Sequence, residues 1–301
     1  MNKGRNSPYS KKINNYYYIF SILKYFQLYI IYVYEIKIQL WRILMEKNNY
    51  FKNKEQNIVH ANEIIKLNFT VPSTNISIWS TTCYNEHTAF PIKLIKPYNS
   101  IITFRCINTV DAIKEAITNN SNCKVAALNF ASYKQPGGLF LQGSMAQEES
   151  LCHNSNLYSI LNHFTDYYKE NNKNLNRGLY LNRALYIPNV YFYDGIYCDI
   201  ITCAAPSVGA ALRYKRTNLD EIRAILYDRI QFVLNIAETN NVEVLILGAY
   251  GCGAFGNDPE IVASVFKELL HTEFNNSFKE IIFAIPGGSN YNIFKKILLG
   301  G

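Results

Sequence analysis

Apolar residues along this chain follow two periods, and the alternation between them marks out its elements. Short, nearly unbroken apolar runs at residues 76–81, 101–106, 124–130, 200–205, 242–248 and 280–286 predict strands. The run at 124–130 has little polar alternation, as expected of a strand buried on both faces. Between the runs, apolar positions recur every three or four residues, and this spacing predicts helices over 110–118, 145–164, 219–238, 259–270 and 294–299. The stretch 219–238 is the clearest amphipathic helix. Ile222, Ile225, Leu226, Ile230, Val233 and Leu234 share one side, and the charges fall on the other.

Strands alternating with helices indicate an α/β domain, a three-layer α/β/α sandwich around a mixed, largely parallel sheet. In such sheets ligands bind beyond the carboxyl ends of the strands. Two glycine loops fall at those ends: Pro136-Gly137-Gly138 after one strand and Gly251-Cys252-Gly253-Ala254-Phe255-Gly256 after another. A third, Pro286-Gly287-Gly288, reads as a turn before a glycine site. The Asn pairs at 119–120, 171–172, 240–241 and 275–276 read as loops.

Residues 1–45 differ from the rest, being crowded with Tyr, Ile, Asn and Lys. They read as an amphipathic or disordered extension ahead of one domain over 46–301, or as an over-long start, since Met45 offers another initiator. A membrane span needs about 20 mostly apolar residues. Lys24, Glu35 and Lys37 interrupt this stretch, and a signal anchor is the minor alternative.

Composition narrows the class only slightly. Hydrophobic residues make up 49% and charged residues 18%, and the net charge of +7 suits an anionic polymer without specifying one. Seven scattered cysteines lack any Cys-x-x-Cys pair. This argues for reduced thiols inside the cell, cytoplasmic or nuclear. The five histidines show no zinc-like spacing, so no metal and no cofactor is expected. A dinucleotide-binding oxidoreductase is disfavoured, because the glycine loop comes late and no acidic residue follows at the required distance.

The chemistry concentrates where the first glycine loop delivers Gln147, Glu148 and Glu149 to a helix start. Acidic residues there favour the helix dipole and need no further function. Glycines beside them, however, let backbone N–H groups approach a phosphate, and a carboxylic acid next to an anion site is what glycoside cleavage needs. Repulsion between adjacent carboxylates raises the pKa of at least one. The second loop, between a strand and a helix, reads as a phosphate cradle with Phe255 as a wall residue.

The stretch from Asn129 through Pro136-Gly137-Gly138 to Gln147-Glu148-Glu149 resembles the microbial-type poly(ADP-ribose) glycohydrolases, whose signature is Gly-Gly-Gly, a spacer and Gln-Glu-Glu. Residues 247–259 resemble the family's second glycine loop, and 283–285 its last core strand. The third glycine is Leu139 here, and Gln135 stands where the family has Asn. The resemblance implies a macrodomain-like fold and hydrolysis of ribose–ribose O-glycosidic bonds in poly(ADP-ribose), releasing ADP-ribose. It implies Glu149 as acid-base residue, Glu148 on the ribose hydroxyls, Gln147 supporting the loop and Asn129 near the distal ribose. Gly137, Gly138 and residues 251–256 would face the diphosphate. ADP-ribosylated proteins are implied as partners, with no reading of nucleic acid and a monomeric chain. Two alternatives stay open: a macrodomain that binds ADP-ribose without turnover, and a hydrolase of mono-ADP-ribose on protein or nucleic acid.

Overall fold

The computed structural model describes residues 54–68, 71, 73–91, 98–213 and 217–300, all within the compact unit Asn53–Gly301. The extension at 1–45 and its anchor reading lie outside the described residues. Among the described residues no helix is long and apolar enough to cross a membrane.

Seven strands form one sheet: β1 (Thr82–Tyr84), β2 (Ile101–Arg105), β3 (Val125–Phe130), β4 (Ala184–Phe192), β5 (Ile196–Cys203), β6 (Val244–Leu247) and β7 (Glu280–Ala284). Their order is β1-β4-β5-β3-β6-β7-β2. The five strands from β5 to β2 run parallel, while β4 is antiparallel to both β5 and β1. The sheet is therefore mixed and largely parallel, as the alternation predicts.

Helices cover both faces. They are α1 (Lys54–Asn68), α2 (Ser73–Ser80), α3 (Thr109–Asn119), α4 (Gln147–Asn154), α5 (Leu157–Leu161), α6 (Thr165–Lys173), α7 (Val208–Arg213), α8 (Leu219–Thr239), α9 (Pro259–His271) and α10 (Gly288–Leu299). Side chains alternate across a strand. Ala126 and Leu128 of β3 thus share one core with Leu226 and Ile230 of α8, Phe266 of α9 and Phe294 of α10. Val125 and Ala127 turn to the opposite face, where α3 packs across β3, β5, β6 and β7. Burying each large aliphatic side chain contributes about 1.5–3 kcal/mol. The helix starts follow local chemistry. Asn108 caps α3 by accepting from the Asp111 N–H at 3.0 Å, Asn218 caps α8 through Glu221, and Asp258 with Pro259 opens α9.

Four expectations are corrected. Residues 76–81 are not a strand: 73–80 are α2, which exposes Ile76 and Trp79 and buries Ser77, whose Oγ donates to the Asn189 carbonyl at 3.0 Å. The apolar side of this helix faces outward, so its composition misleads. The long helix over 145–164 breaks into α4 and α5, because Asn156 exchanges two hydrogen bonds with the Tyr191 backbone and Ser155 bridges to Phe192. Asn171 and Asn172 lie inside α6 rather than in a loop. Arg229 sits on the buried side of α8, not among its exposed charges.

Candidate active site

All five parallel strands point their carboxyl ends at one edge, and the loops leaving them enclose a cavity of about 480 Å³. Its walls come from Asn108 and Thr109 after β2, Phe130 at the end of β3, and Ala205 after β5. Ala249, Gly251 and Gly253–Phe255 after β6 and 284–290 after β7 complete them. The N-termini of α3, α4 and α10 meet here, which favours an anion. Among the residues singled out by sequence, Gln147, Gly251, Gly253, Ala254 and Phe255 reach the wall. Pro286-Gly287-Gly288, read as a turn, also forms wall, with both glycines left-handed (φ 48° and 78°). Asn108, Thr109, Phe130, Met145 and Asn290 are cavity residues that sequence reasoning missed, since nothing local distinguishes them.

The two glutamates sit beneath the first glycine loop, buried at the start of α4. Glu148 accepts from the Ser132 N–H at 2.6 Å and from the Asn129 amide at 3.3 Å. Glu149 accepts from the Leu139 N–H at 2.8 Å through Oε1, while its buried Oε2 has no hydrogen-bond partner among the described residues. Gly138 lies against both carboxyls: a Cβ added there would stand 2.6 Å from Glu149 Oε1 and 3.1 Å from Glu148 Oε2. Gly137 packs instead against Tyr158 and Cys152. Neither glycine is a cavity-lining residue; both shape the loop that covers the carboxyls.

Burial pushes the Glu148 carboxyl up to about 8, and the charge of Glu149 adds to this. Hydrogen bonds from Ser132, Asn129 and Gly137 pull the other way. Burial thus outranks the like-charge repulsion anticipated from sequence. A carboxyl raised in the folded state contributes stability that is complete below its unfolded value near 4.5 and is lost as pH rises through about 8. Glu148→Gln should therefore melt progressively higher than the parent as pH rises from 5 to 8. The gap should reach on the order of a few kcal/mol and then level off. Melting curves across this range check it, and a pH-independent difference would contradict the buried, neutral Glu148.

Asn129 is fully buried, its amide donating to Glu148 and to Thr202 Oγ1; Asn129, Glu148 and Glu149 are not among the cavity-lining residues, whereas Gln147 and Ser150 on either side of the glutamates are. Gln147 braces α4 on β3, accepting from the Phe130 N–H at 2.8 Å and donating to the Leu128 carbonyl at 2.8 Å. Leu139 takes φ −100°, with its side chain pointing outward and 52% exposed. The missing third glycine therefore imposes no backbone strain. Asn57 of α1 donates to the Gly143 carbonyl at 2.9 Å and holds the far end of the loop.

In the second loop the left-handed residues are Gly251 and Gly256 (φ 73° and 69°). Gly251 is pressed against Ala205 and Asn257, whose amide donates to the Pro206 and Gly251 carbonyls at 2.8 and 3.0 Å. Gly253 differs, because a Cβ there would meet nothing within 4 Å. Cys252 and Gly256 are not among the cavity-lining residues, and burial pushes the Cys252 thiol up to about 12. Phe255 stands edge-on to Tyr180, which stacks on Tyr133 at 4.1 Å. The seven cysteines are free thiols, and no cluster of metal-binding side chains occurs among the described residues.

Fold and site together define a macrodomain-like α/β protein whose paired carboxylates lie beside a glycine-walled cavity. The family model for the catalytic domain of microbial-type poly(ADP-ribose) glycohydrolase matches residues 43–194, and the chain belongs to that family. It is similar to the poly(ADP-ribose) glycohydrolase of Thermomonospora curvata, with 26% identity over 81% of this chain and 99% of that one, at a TM-score of 0.73. The Deinococcus radiodurans poly(ADP-ribose) glycohydrolase in complex with ADP-ribose is 28% identical over 76% and 98%, at a TM-score of 0.68. The Thermomonospora enzyme bound to the inhibitor ADP-HPD aligns at a TM-score of 0.70, with 26% identity over 80% of this chain and 99% of that one. No match was found among curated proteins.

Proposed function

We propose that this chain hydrolyses the ribose–ribose O-glycosidic bonds of poly(ADP-ribose) and releases ADP-ribose. The observation that carries this reading is the buried Glu148–Glu149 pair, held under a glycine loop and flanked by Gln147 and Ser150, which line a cavity walled by helix N-termini and glycine backbone. Glu149 is the acid-base residue. Its unpartnered Oε2 is the atom to protonate the departing ribose oxygen and then take a proton from water, as the oxocarbenium-like centre is quenched. Glu148, fixed by Ser132 and Asn129, holds the ribose hydroxyls next to the bond that breaks.

Incubating the protein with poly(ADP-ribose) and separating the products tests this directly, with free ADP-ribose as the expected product. ADP-ribose binding with the polymer intact would favour a binding module, and release only from mono-ADP-ribosylated protein or nucleic acid would change the substrate. In this reading the diphosphate lies on the second loop. Gly253→Val should therefore weaken ADP-ribose binding by about tenfold or more in calorimetry, with the melting temperature nearly unchanged, since the protein leaves that space open. Unchanged affinity would reduce the loop to a turn.

A further inference from the structure

Arg229 is the largest fully buried side chain among the described residues, 1% exposed on the core side of α8. All its hydrogen bonds go to uncharged oxygens: Nε to Asn182 Oδ1 at 2.6 Å, Nη1 to the Ala204 carbonyl, and Nη2 to the Leu179 carbonyl at 3.4 Å. Among the described residues it forms no ion pair. The ionisable side chains that feel its field are Cys203, Tyr133, Tyr167, Tyr180 and Tyr250, all neutral, and the solvent-exposed Asp228 beside it on the helix. Taking a guanidinium out of water without a carboxylate is costly, and buried charges are ordinarily paired.

The place of this charge is informative. Ala204, which it holds, precedes Ala205 in the cavity wall, and Ala205 is the residue against which Gly251 is pressed. Tyr250 of the same glycine loop donates to the Cys203 carbonyl at 3.0 Å, and the Gly209 N–H donates to the Phe255 carbonyl at 3.0 Å. The guanidinium thus lies directly behind the floor of the second glycine loop. It also ties that floor to the segment 176–180, where Asn176, Arg177, Gly178 and Tyr180 are all left-handed.

We propose that Arg229 is a positioning residue and the buried counter-charge for an anionic, diphosphate-bearing ligand, acting through Ala204–Ala205 and the glycine loop without touching the ligand. This rests on the reading that the cavity takes ADP-ribose. A positive charge set in low dielectric behind neutral backbone attracts an anion more strongly than the same charge in water would. The N–H groups of the loop would then supply geometry, and Arg229 the net charge.

The test compares ADP-ribose with adenosine, which lacks the phosphates, by calorimetry on Arg229→Met, Arg229→Gln and Arg229→Lys. A counter-charge predicts that Met and Gln lose about tenfold or more in ADP-ribose affinity and keep adenosine affinity, and because the charge is buried the loss should persist at high salt. Lys should retain ADP-ribose affinity within about threefold. Equal losses for both ligands, or unchanged ADP-ribose affinity in a folded neutral variant, would overturn the proposal. If neither neutral variant folds, Lys decides alone: a selective loss of ADP-ribose despite the retained charge overturns it, and retention supports it. Parent protein that binds no ADP-ribose would instead remove the functional reading on which the proposal rests.

Discussion

Glu149→Gln should abolish measurable release of ADP-ribose, lowering turnover by on the order of 10²–10⁴, while ADP-ribose affinity stays within about tenfold. The amide has the shape of the acid and can still accept the Leu139 N–H that holds Oε1 at 2.8 Å, so the loop above it should keep its form. What the amide cannot do is deliver a proton from the Oε2 position and take one back. The effect therefore falls on turnover, since an interaction made only in the transition state is removed. Single-turnover assays and calorimetry on the same preparation separate the two quantities. Near-parent turnover would take Glu149 out of the mechanism. Glu148→Gln should also be slow, through a ribose less well held, but its distinguishing sign is the pH dependence of its stability.

The sequence exposes this site unevenly, for physical reasons. The glutamate pair and both glycine loops are legible because a local requirement writes them into consecutive residues: a carboxyl pair needs a loop without Cβ atoms above it, as Gly138 shows. The walls at Thr109, Phe130 and Asn290 are not legible, because they meet only once the parallel strands have been brought side by side. Strand β4 escapes the periodicity because Pro188 and the left-handed Asn189 interrupt it at a bulge, a break that reads locally as a turn. Helix α1 escapes because its buried side carries Asn57, His60 and Asn68, which hydrogen-bond across the fold to Gly143, His153 and Tyr193, in place of an unbroken apolar stripe. His60 illustrates this, meeting the buried His153 of α4 at 2.9 Å between ring nitrogens, with burial lowering both pKa values. Arg229 is hidden in the same way, since an arginine on an amphipathic helix is assigned to water until its partners are seen. Leu139 is the converse case. In the sequence its replacement of glycine puts a phosphate contact in question; in the fold it imposes no backbone strain, because Leu139 takes a negative φ and its side chain points outward.

Gly138→Ala should damage catalysis far more than the size of one methyl group suggests. The left-handed φ of 56° costs an L-residue about 1–2 kcal/mol, and the new Cβ would stand 2.6 Å from Glu149 Oε1 and 3.1 Å from Glu148 Oε2. Something must move, and the atoms nearest the clash are the two carboxyls. Displacing Glu149 breaks its hydrogen bond from Leu139, and a shift of about 1 Å in a catalytic group can cost 10²-fold. The expected result is a fall in kcat/KM of about a hundredfold or more, with stability reduced by about 1–3 kcal/mol. Gly137→Ala is the matched control. It bears a similar strain at φ 66°, but its Cβ meets Tyr158 at 2.8 Å and the Cys152 sulfur at 3.3 Å, and only its backbone, through the hydrogen bond to Glu148, touches a glutamate. Its loss of stability should be comparable and its loss of activity much smaller. Equal activity losses in the two variants would mean that the loop acts as one rigid unit. Full activity in Gly138→Ala would mean that the carboxyl positions described here are not those used in catalysis.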